Sequence, residues 1–194
     1  MEAKPTNYFK QSLMMALMVI PLISIGQKRY NLSEFKLTIS GTSTIHDWVI
    51  DAEKLTCSTL LDYTESRELS MGSFLVTIPV ESLESGKGIM NSKTYEALKS
   101  EDYPNVTFKL LSLDSQTANS LKATGNLTIA GKTQSVQLDV TVSKSAGSII
   151  FKGEKELLMT SFSVQPPSAL MGTIKTDDLV KVKFEIQLYQ HNNS

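Results

Sequence analysis

Two histidines, one cysteine and a few neighbouring carboxylates are all that this chain offers to acid–base, nucleophilic or metal chemistry. His46 stands in "STIHDWVID" beside Asp47, and His191 in the polar end "QHNNS". Adjacent residues on an extended segment point to opposite faces, so His46 and Asp47 do not form a local dyad. No base or nucleophile is spaced to serve His46, which reads either as a hydrogen-bonded residue at a strand end or as a ligand contact. Two distant histidines and one cysteine have no metal-ligand spacing. Cys57, in "KLTCSTLL", has no cysteine to pair with and reads as an inert thiol on a strand. Glu81/Glu84, Glu101/Asp102 and Asp177/Asp178 read as solvated turn residues rather than acid–base pairs. No serine-nucleophile motif, phosphate-cradling glycine loop or dinucleotide fingerprint is present. The expectation is a protein that is not an enzyme and takes no cofactor and no metal.

The elements that must position these residues are strands. The chain has 194 residues, 41% hydrophobic and 20% charged, enough for one domain with a sizeable core. Its net charge of −1 is spread without a basic block, which argues against nucleic acid as a partner. Residues 1–26 differ from the rest. Lys4 and Lys10 precede an uncharged apolar run, Leu13 to Ile23, that is short of the roughly 20 residues a membrane span needs. Small residues follow at Ser24 and Gly26. This pattern reads as a secretory signal cleaved after Gly26, so residues 27–194 form the exported domain, periplasmic or secreted, with no transmembrane segment.

From residue 30 onward apolar residues recur with a period of two, the mark of half-buried strands. Phe35, Leu37 and Ile39 share a face. So do Phe74, Val76 and Ile78; Val106, Phe108 and Leu110; Val136, Leu138, Val140 and Val142; and Val180, Val182, Phe184, Ile186 and Leu188. "HDWVIDAEKLTCSTLL", "KATGNLTIAG" and "SIIFKGEKELLM" are weaker strands. In "IAGKTQ", Gly131 can take a positive φ and close a tight hairpin. Short connections imply antiparallel neighbours, and about eight such strands bury their apolar faces in a closed barrel or a two-sheet sandwich. One helix interrupts them. "NSKTYEALK", Asn91 to Lys99, has Asn91 or Ser92 as cap, Tyr95 and Leu98 on one face, and Lys99 against the helix dipole. Pro104 ends it and launches the next strand. A helix of two turns is unstable alone, so its Tyr95/Leu98 face must dock on apolar surface, as a plain plug or as the cap of a ligand cavity. Trp48, the only tryptophan, is a packing residue or a cavity wall. The proline-rich stretch from Gln165 to Gly172, with Leu170 and Met171, is a rigid connection or a rim.

Three blocks resemble the YceI-like family of secreted bacterial proteins. "IPVESLESGKGIMNSKTYEALKSEDYPNVTFKLLSL" carries its Ser-Leu turn and the strand opening "P-x-[VI]-x-F" through Ser82, Leu83, Pro104, Val106 and Phe108. "GNLTIAGKTQSVQLDV" resembles its hairpin through Gly125, Leu127, Thr128, Ile129, Gly131, Thr133 and Val136. "MTSFSVQPPSALMGTIKTDDLVKVKFEIQL" is similar to its closing segment. His46 falls where the family often has a histidine, and "GTSTIHDW" resembles the branch common in Bacteroidetes-type bacteria. The resemblance covers about residues 33–190. One departure is the helix, where many members have an Arg-Asp…His-Leu segment and this chain has "MNSKTYEALK". Contacts made by that arginine do not carry over.

The resemblance implies an all-β, eight-stranded antiparallel lipocalin-like barrel with one short helix capping an end. It also implies an elongated apolar cavity for a polyprenyl chain or another long-chain amphiphile, and it allows a homodimer. On that basis the expected ligand contacts are His46, Trp48, Phe74, Val76, Ile78, Tyr95, Leu98, Phe108, Leu110, Leu138 and Phe184. The expected function is an exported carrier of an isoprenoid, quinone tail or similar lipid. The alternative is a structural or interaction module of the cell envelope with a filled barrel core and no ligand.

Overall fold

The computed structural model describes residues 28–63, 69–145, 147–169 and 172–190. The expected signal (residues 1–26), Leu170, Met171 and His191 lie outside them. Eleven strands and one α-helix follow one another: β1 (Lys28–Ser43), β2 (Trp48–Ala52), β3 (Thr56–Tyr63), β4 (Leu69–Pro79), β5 (Leu83–Glu84), α1 (Gly88–Leu98), β6 (Asn105–Gln116), β7 (Ser120–Ile129), β8 (Lys132–Ser145), β9 (Ser148–Leu158), β10 (Ser168–Ala169) and β11 (Ile174–Gln190). Single 3₁₀ turns occupy Val80–Ser82 and Met159–Phe162. No helix among the described residues is long and apolar enough to cross a membrane.

Eight of the strands close on themselves. In the order β1, β3, β4, β6, β7, β8, β9, β11 each pairs antiparallel with the next, and β11 returns to β1. The expected antiparallel barrel is therefore present, with three short strands added. β2 bridges β1 and β5, and β10 pairs with the start of β11. "HDWVIDAEKLTCSTLL" is two strands rather than one, although the register survives the break. Thr38 faces Asp51, and ten residues back along β1 and ten residues on from Asp51, Lys28 faces Leu61. Between these points the chain leaves β1, because Glu53 N–H donates to the Ser82 carbonyl (2.8 Å) and Leu83 pairs with Ala52. His46 and Asp47 also differ from expectation: they lie in the turn before β2, not on a strand. Asp177 and Asp178 lie on β11 rather than in a turn, accepting from Thr42 Oγ1 (2.7 Å) and Thr160 N–H (2.8 Å).

Strand alternation sends one face of every strand inward. Where β1 begins and β11 ends, the inward residues meet and fill the barrel. Tyr30, Leu61, Leu69, Val142, Ile149 and Leu188 are buried there, Leu61 and Leu188 completely. Where β1 ends and β11 begins, the inward residues line open space instead. A second, smaller core sits there, made of Ala130, Val136, Phe162 and Val164. The Met159–Phe162 turn that carries Phe162 is tied down by Asp178 and by Gln134, whose side-chain amide donates to the Ser161 carbonyl (3.0 Å). The β7–β8 hairpin turns in two residues, Ala130 (φ 47°) and Gly131 (φ 77°), the left-handed pair that matches sheet twist.

The helix starts three residues earlier than the sequence implies. Lys87 is its N-cap, with no side-chain capping bond, and Asn91 N–H already bonds to the Lys87 carbonyl (3.0 Å). Asn91 ties the helix sideways instead: its carboxamide oxygen accepts from Ser85 N–H (2.9 Å), and its NH₂ donates to Glu84. Lys99 does not sit in the last turn. It is the left-handed C-cap at φ 54°, where Ser100 N–H returns to the Tyr95 carbonyl (3.0 Å).

Two stability predictions follow from these positions. Leu188→Ala removes a fully buried side chain from the closed end and should cost about 2–5 kcal/mol in denaturant unfolding. Lys99→Gly should stabilise by up to about 1 kcal/mol, because the exposed lysine holds a left-handed conformation that glycine adopts freely. A loss of stability on that replacement would mean the lysine side chain contributes more than its backbone strain costs.

Candidate functional site

The inward face above the closed end encloses a cavity of about 740 Å³. That lies within the usual range for a small-molecule site, roughly 300–1,000 Å³. The core is therefore packed at one end and open inside at the other. Phe74 on β4 and Phe151 on β9 come from opposite walls of the ring and meet edge to face, centroids 5.8 Å apart and planes at 71°. The geometry is the favoured one for aromatic pairs, and the two rings form a floor.

The walls are apolar. β4 supplies Phe74, Val76 and Ile78, β6 supplies Phe108 and Leu110, β8 supplies Leu138, and β11 supplies Phe184. Trp48 and His46 line it from the start of β2 and the turn before it, and Leu98 from the helix. Every contact expected from the sequence lines the cavity except Tyr95. Its ring packs against the core, but its hydroxyl lies 3.1 Å from the Glu81 and Leu83 carbonyls and 3.2 Å from the Glu84 carboxylate. Burial pushes the Tyr95 phenol above its usual range, and the hydrogen bond to Glu84 and the negative charges of Glu84 and Glu81 add to that. It stays a protonated donor, holding the helix to β5.

Three of the wall rings owe their position to glycine. A Cβ on Gly41 would sit 2.4 Å from the Trp48 ring, one on Gly125 2.3 Å from Phe108, and one on Gly153 2.6 Å from Phe184. Gly41 is the cross-strand partner of Trp48, and Gly153 of Phe184. Phe108 leans from its partner Leu127 onto Gly125. Each ring lies along the wall over a position without a side chain, so the rings line the lumen instead of filling it. Trp48 is fixed further by its indole N–H, which donates to the Thr42 carbonyl (3.1 Å).

The mouth mixes apolar and basic groups. Ile45 and Ile89 line it while 61% and 85% exposed, next to Lys87, Lys93 and Lys155. His46 is exposed on the same rim. Its Nδ1 lies 2.9 Å from the Asp47 carbonyl, which can only accept, so that nitrogen carries the proton. Ser43 Oγ bonds to the backbone of His46 and not to its ring. Among the described residues no nucleophile or carboxylate is hydrogen-bonded to the imidazole, and no cluster of three metal-ligating side chains exists. Cys57 is half-buried on β3, and burial alone pushes its thiol up to about 12, far from a reactive thiolate.

Sequence reasoning missed several lining residues. Phe151 and Lys155 were legible, because both continue the inward period of β9 from Ile149. Met159, Phe162 and Val164 had no such signal, since a 3₁₀ turn and the loop after it carry no period of two. Pro167 and Ser168 line the mouth, which supports a rim role for that stretch.

Gly153→Val should drive the Phe184 ring into the lumen. The expected result is a folded barrel, destabilised by about 1–3 kcal/mol, that takes up markedly less of a hydrophobic fluorescent dye. Unchanged dye uptake would show that the ring position is not set by that glycine.

The chain matches the YceI-like domain family over residues 33–188. Among solved structures, BcnA of Burkholderia cenocepacia superposes with a TM-score of 0.66 at 21% identity, covering 79% of this chain and 95% of its own. A polyisoprenoid binding domain from Saccharophagus degradans, implicated in plant cell wall breakdown, gives 0.65 at 13% identity, covering 85% and 100%. The YceI protein of Campylobacter jejuni gives 0.58 at 16% identity, covering 97% and 100%. No curated protein sequence matches. At these identities the structures speak to the fold, and the family match spans most of the chain: the protein belongs to the YceI-like domain family.

Proposed function

We propose that the protein is an exported, non-enzymatic carrier that holds one long apolar chain, an isoprenoid, a quinone tail or a similar lipid, inside the barrel. The observation that carries this reading is the apolar lumen of about 740 Å³ with a packed end beneath it. The polyisoprenoid binding domain of Saccharophagus degradans has the same fold, which supports it further. Binding would draw on apolar burial, about 25 cal/mol per Å², less the cost of ordering a flexible chain. A wall built from aliphatic and aromatic side chains discriminates tails weakly, since one methylene more or less is worth about 1–3 kcal/mol. The signal-like residues 1–26 support a periplasmic or secreted location.

The test is native mass spectrometry of protein purified from its own host's envelope, followed by organic extraction. A stoichiometric long-chain adduct that leaves with solvent is expected. Leu138→Trp, which adds volume inside the lumen, should keep the fold by circular dichroism and lose the adduct. A clean apo mass under conditions that preserve a control lipocalin's ligand would overturn the carrier reading.

A further inference from the structure

One wall of the lumen is mounted along a single edge. Met90, Thr94, Ala97 and Leu98 of α1 line the cavity, yet no residue of the helix is fully buried. Among the described residues, every side-chain hydrogen bond that leaves the helix ends on Glu84, on Ser85 or on the backbone at Glu81 and Leu83. None reaches β1, β9 or β11. The one ion pair of the helix, Lys93 with Glu96, stays within it.

The mount itself is fixed to the barrel. Val80 and Leu83 are buried, Val80 completely. Val80 N–H donates to the Pro104 carbonyl (2.8 Å), Glu53 N–H donates to the Ser82 carbonyl (2.8 Å), and Leu83 pairs with Ala52. Tyr95 is the main tie between helix and mount. Its hydroxyl has one proton to give and three acceptors within 3.2 Å: the Glu81 and Leu83 carbonyls and the Glu84 carboxylate. Asn91 adds a second tie, to Ser85 and Glu84.

The two ends of the helix differ. Beyond Lys99 the chain is held: Ser100 is buried, and its Oγ donates to the Glu81 carboxylate (3.3 Å). Before the helix stands Gly86, exposed at φ 74°, with open space where a Cβ would point. Glycine crosses between left- and right-handed backbone at little cost, so this joint can absorb a change in the angle of the helix. Swinging the helix outward breaks the ties of Tyr95 and Asn91 and exposes the half-buried Met90 and Leu98. It leaves the packed end of the barrel intact, which is the condition for opening without global unfolding.

We propose that α1 is the gate of the lumen: it swings from the 81–85 segment about its Ser100 end to admit and release the apolar chain, and Tyr95 is the latch that holds it shut. This inference rests on the carrier reading and supplies the route by which the cargo enters. Tyr95 does not line the cavity, so the latch governs the rate of exchange and not the affinity.

Exchange is read with the apolar dye N-phenyl-1-naphthylamine, by stopped-flow mixing and dilution. When a ligand passes only through the open state, both of its rate constants scale with the open fraction. Tyr95→Phe keeps the ring and removes the hydroxyl. It should raise the association and dissociation rate constants together by about three- to tenfold and leave Kd within about twofold of the parent's. Ser92→Ala removes a hydroxyl bonded inside the helix, to the Gly88 carbonyl (3.1 Å), and should change neither rate. Unchanged rates in Tyr95→Phe, or equal acceleration in Ser92→Ala, would overturn the latch while leaving a carrier. The opening is also read without ligand, by amide hydrogen exchange. Leu188→Ala, at the closed end, should speed exchange along β11 and leave the α1 amides unchanged, because the gate opens on its own. Helix amides that speed up in step with β11 would mean that α1 comes away only when the barrel unfolds, and no gate exists. If the parent takes up no dye, and lipid extraction also finds no adduct, the carrier reading falls and the gate with it.

Discussion

Three aromatic rings lying on three glycines decide what kind of barrel this is. An eight-stranded ring is just wide enough either to be filled by its own side chains or to hold one small ligand. Trp48, Phe108 and Phe184 are large enough to favour the first outcome. Gly41, Gly125 and Gly153 allow the second, because each ring rests against backbone where a Cβ would be 2.3–2.6 Å away. The rings still gain burial and contact, but along the wall. Phe74 and Phe151, by contrast, project far enough to touch across the lumen.

That division gives the barrel a polarity. Below the Phe74–Phe151 pair, aliphatic side chains interdigitate and supply the burial that holds the ring together. Above it, stability comes from a separate small core and from polar ties. The Met159–Phe162 turn is held by Asp178 and Gln134, and the helix by Asn91 and Tyr95 acting on Glu84, Ser85 and the backbone at Glu81 and Leu83. No residue of the helix is fully buried. A helix of eleven residues needs tertiary contacts to persist, and here directional hydrogen bonds supply much of what apolar docking supplies elsewhere. The helix can therefore present Met90, Ala97 and Leu98 to the lumen without being sealed into it.

Most of the ring could be read from the chain, because its information is local. A period of two over Val136–Val142 or Val180–Leu188 specifies both the strand and its inward face, and every residue placed inward on that basis on β4, β6, β8 and β11 lines the cavity or packs in the core. The failures trace to contacts and turns that carry no period of two. The break between β2 and β3 is imposed by residues 82–84, about 30 positions away in sequence. The helix begins early because Gly86, at φ 74°, turns the chain and Ser85 with Asn91 holds the turn, so Asn91 spends its carboxamide on that tie rather than on a cap. Tyr95 and Leu98 do share a side of the helix. Three residues at 3.6 per turn still leave them about 60° apart, enough for one to face the lumen and the other to reach β5.

Lys155 shows the same alternation working against stability. Glu154, Glu156, Lys181 and Lys183 form a charge ladder on the solvent face, where each ion is inexpensive to keep. Between the two glutamates the strand has to turn one side chain inward, and there this chain carries an ammonium on an aliphatic stem. A valine or leucine would pack against Val182 and Leu157 with no desolvation cost. The position is half-buried and near the mouth, so the stem can cover apolar wall while the head stays close to water. Moved four residues toward the floor, to the site of Phe151, the same charge would be buried without a partner and would cost several kcal/mol. A lysine is tolerable on this strand only near the open end, where its head can stay hydrated.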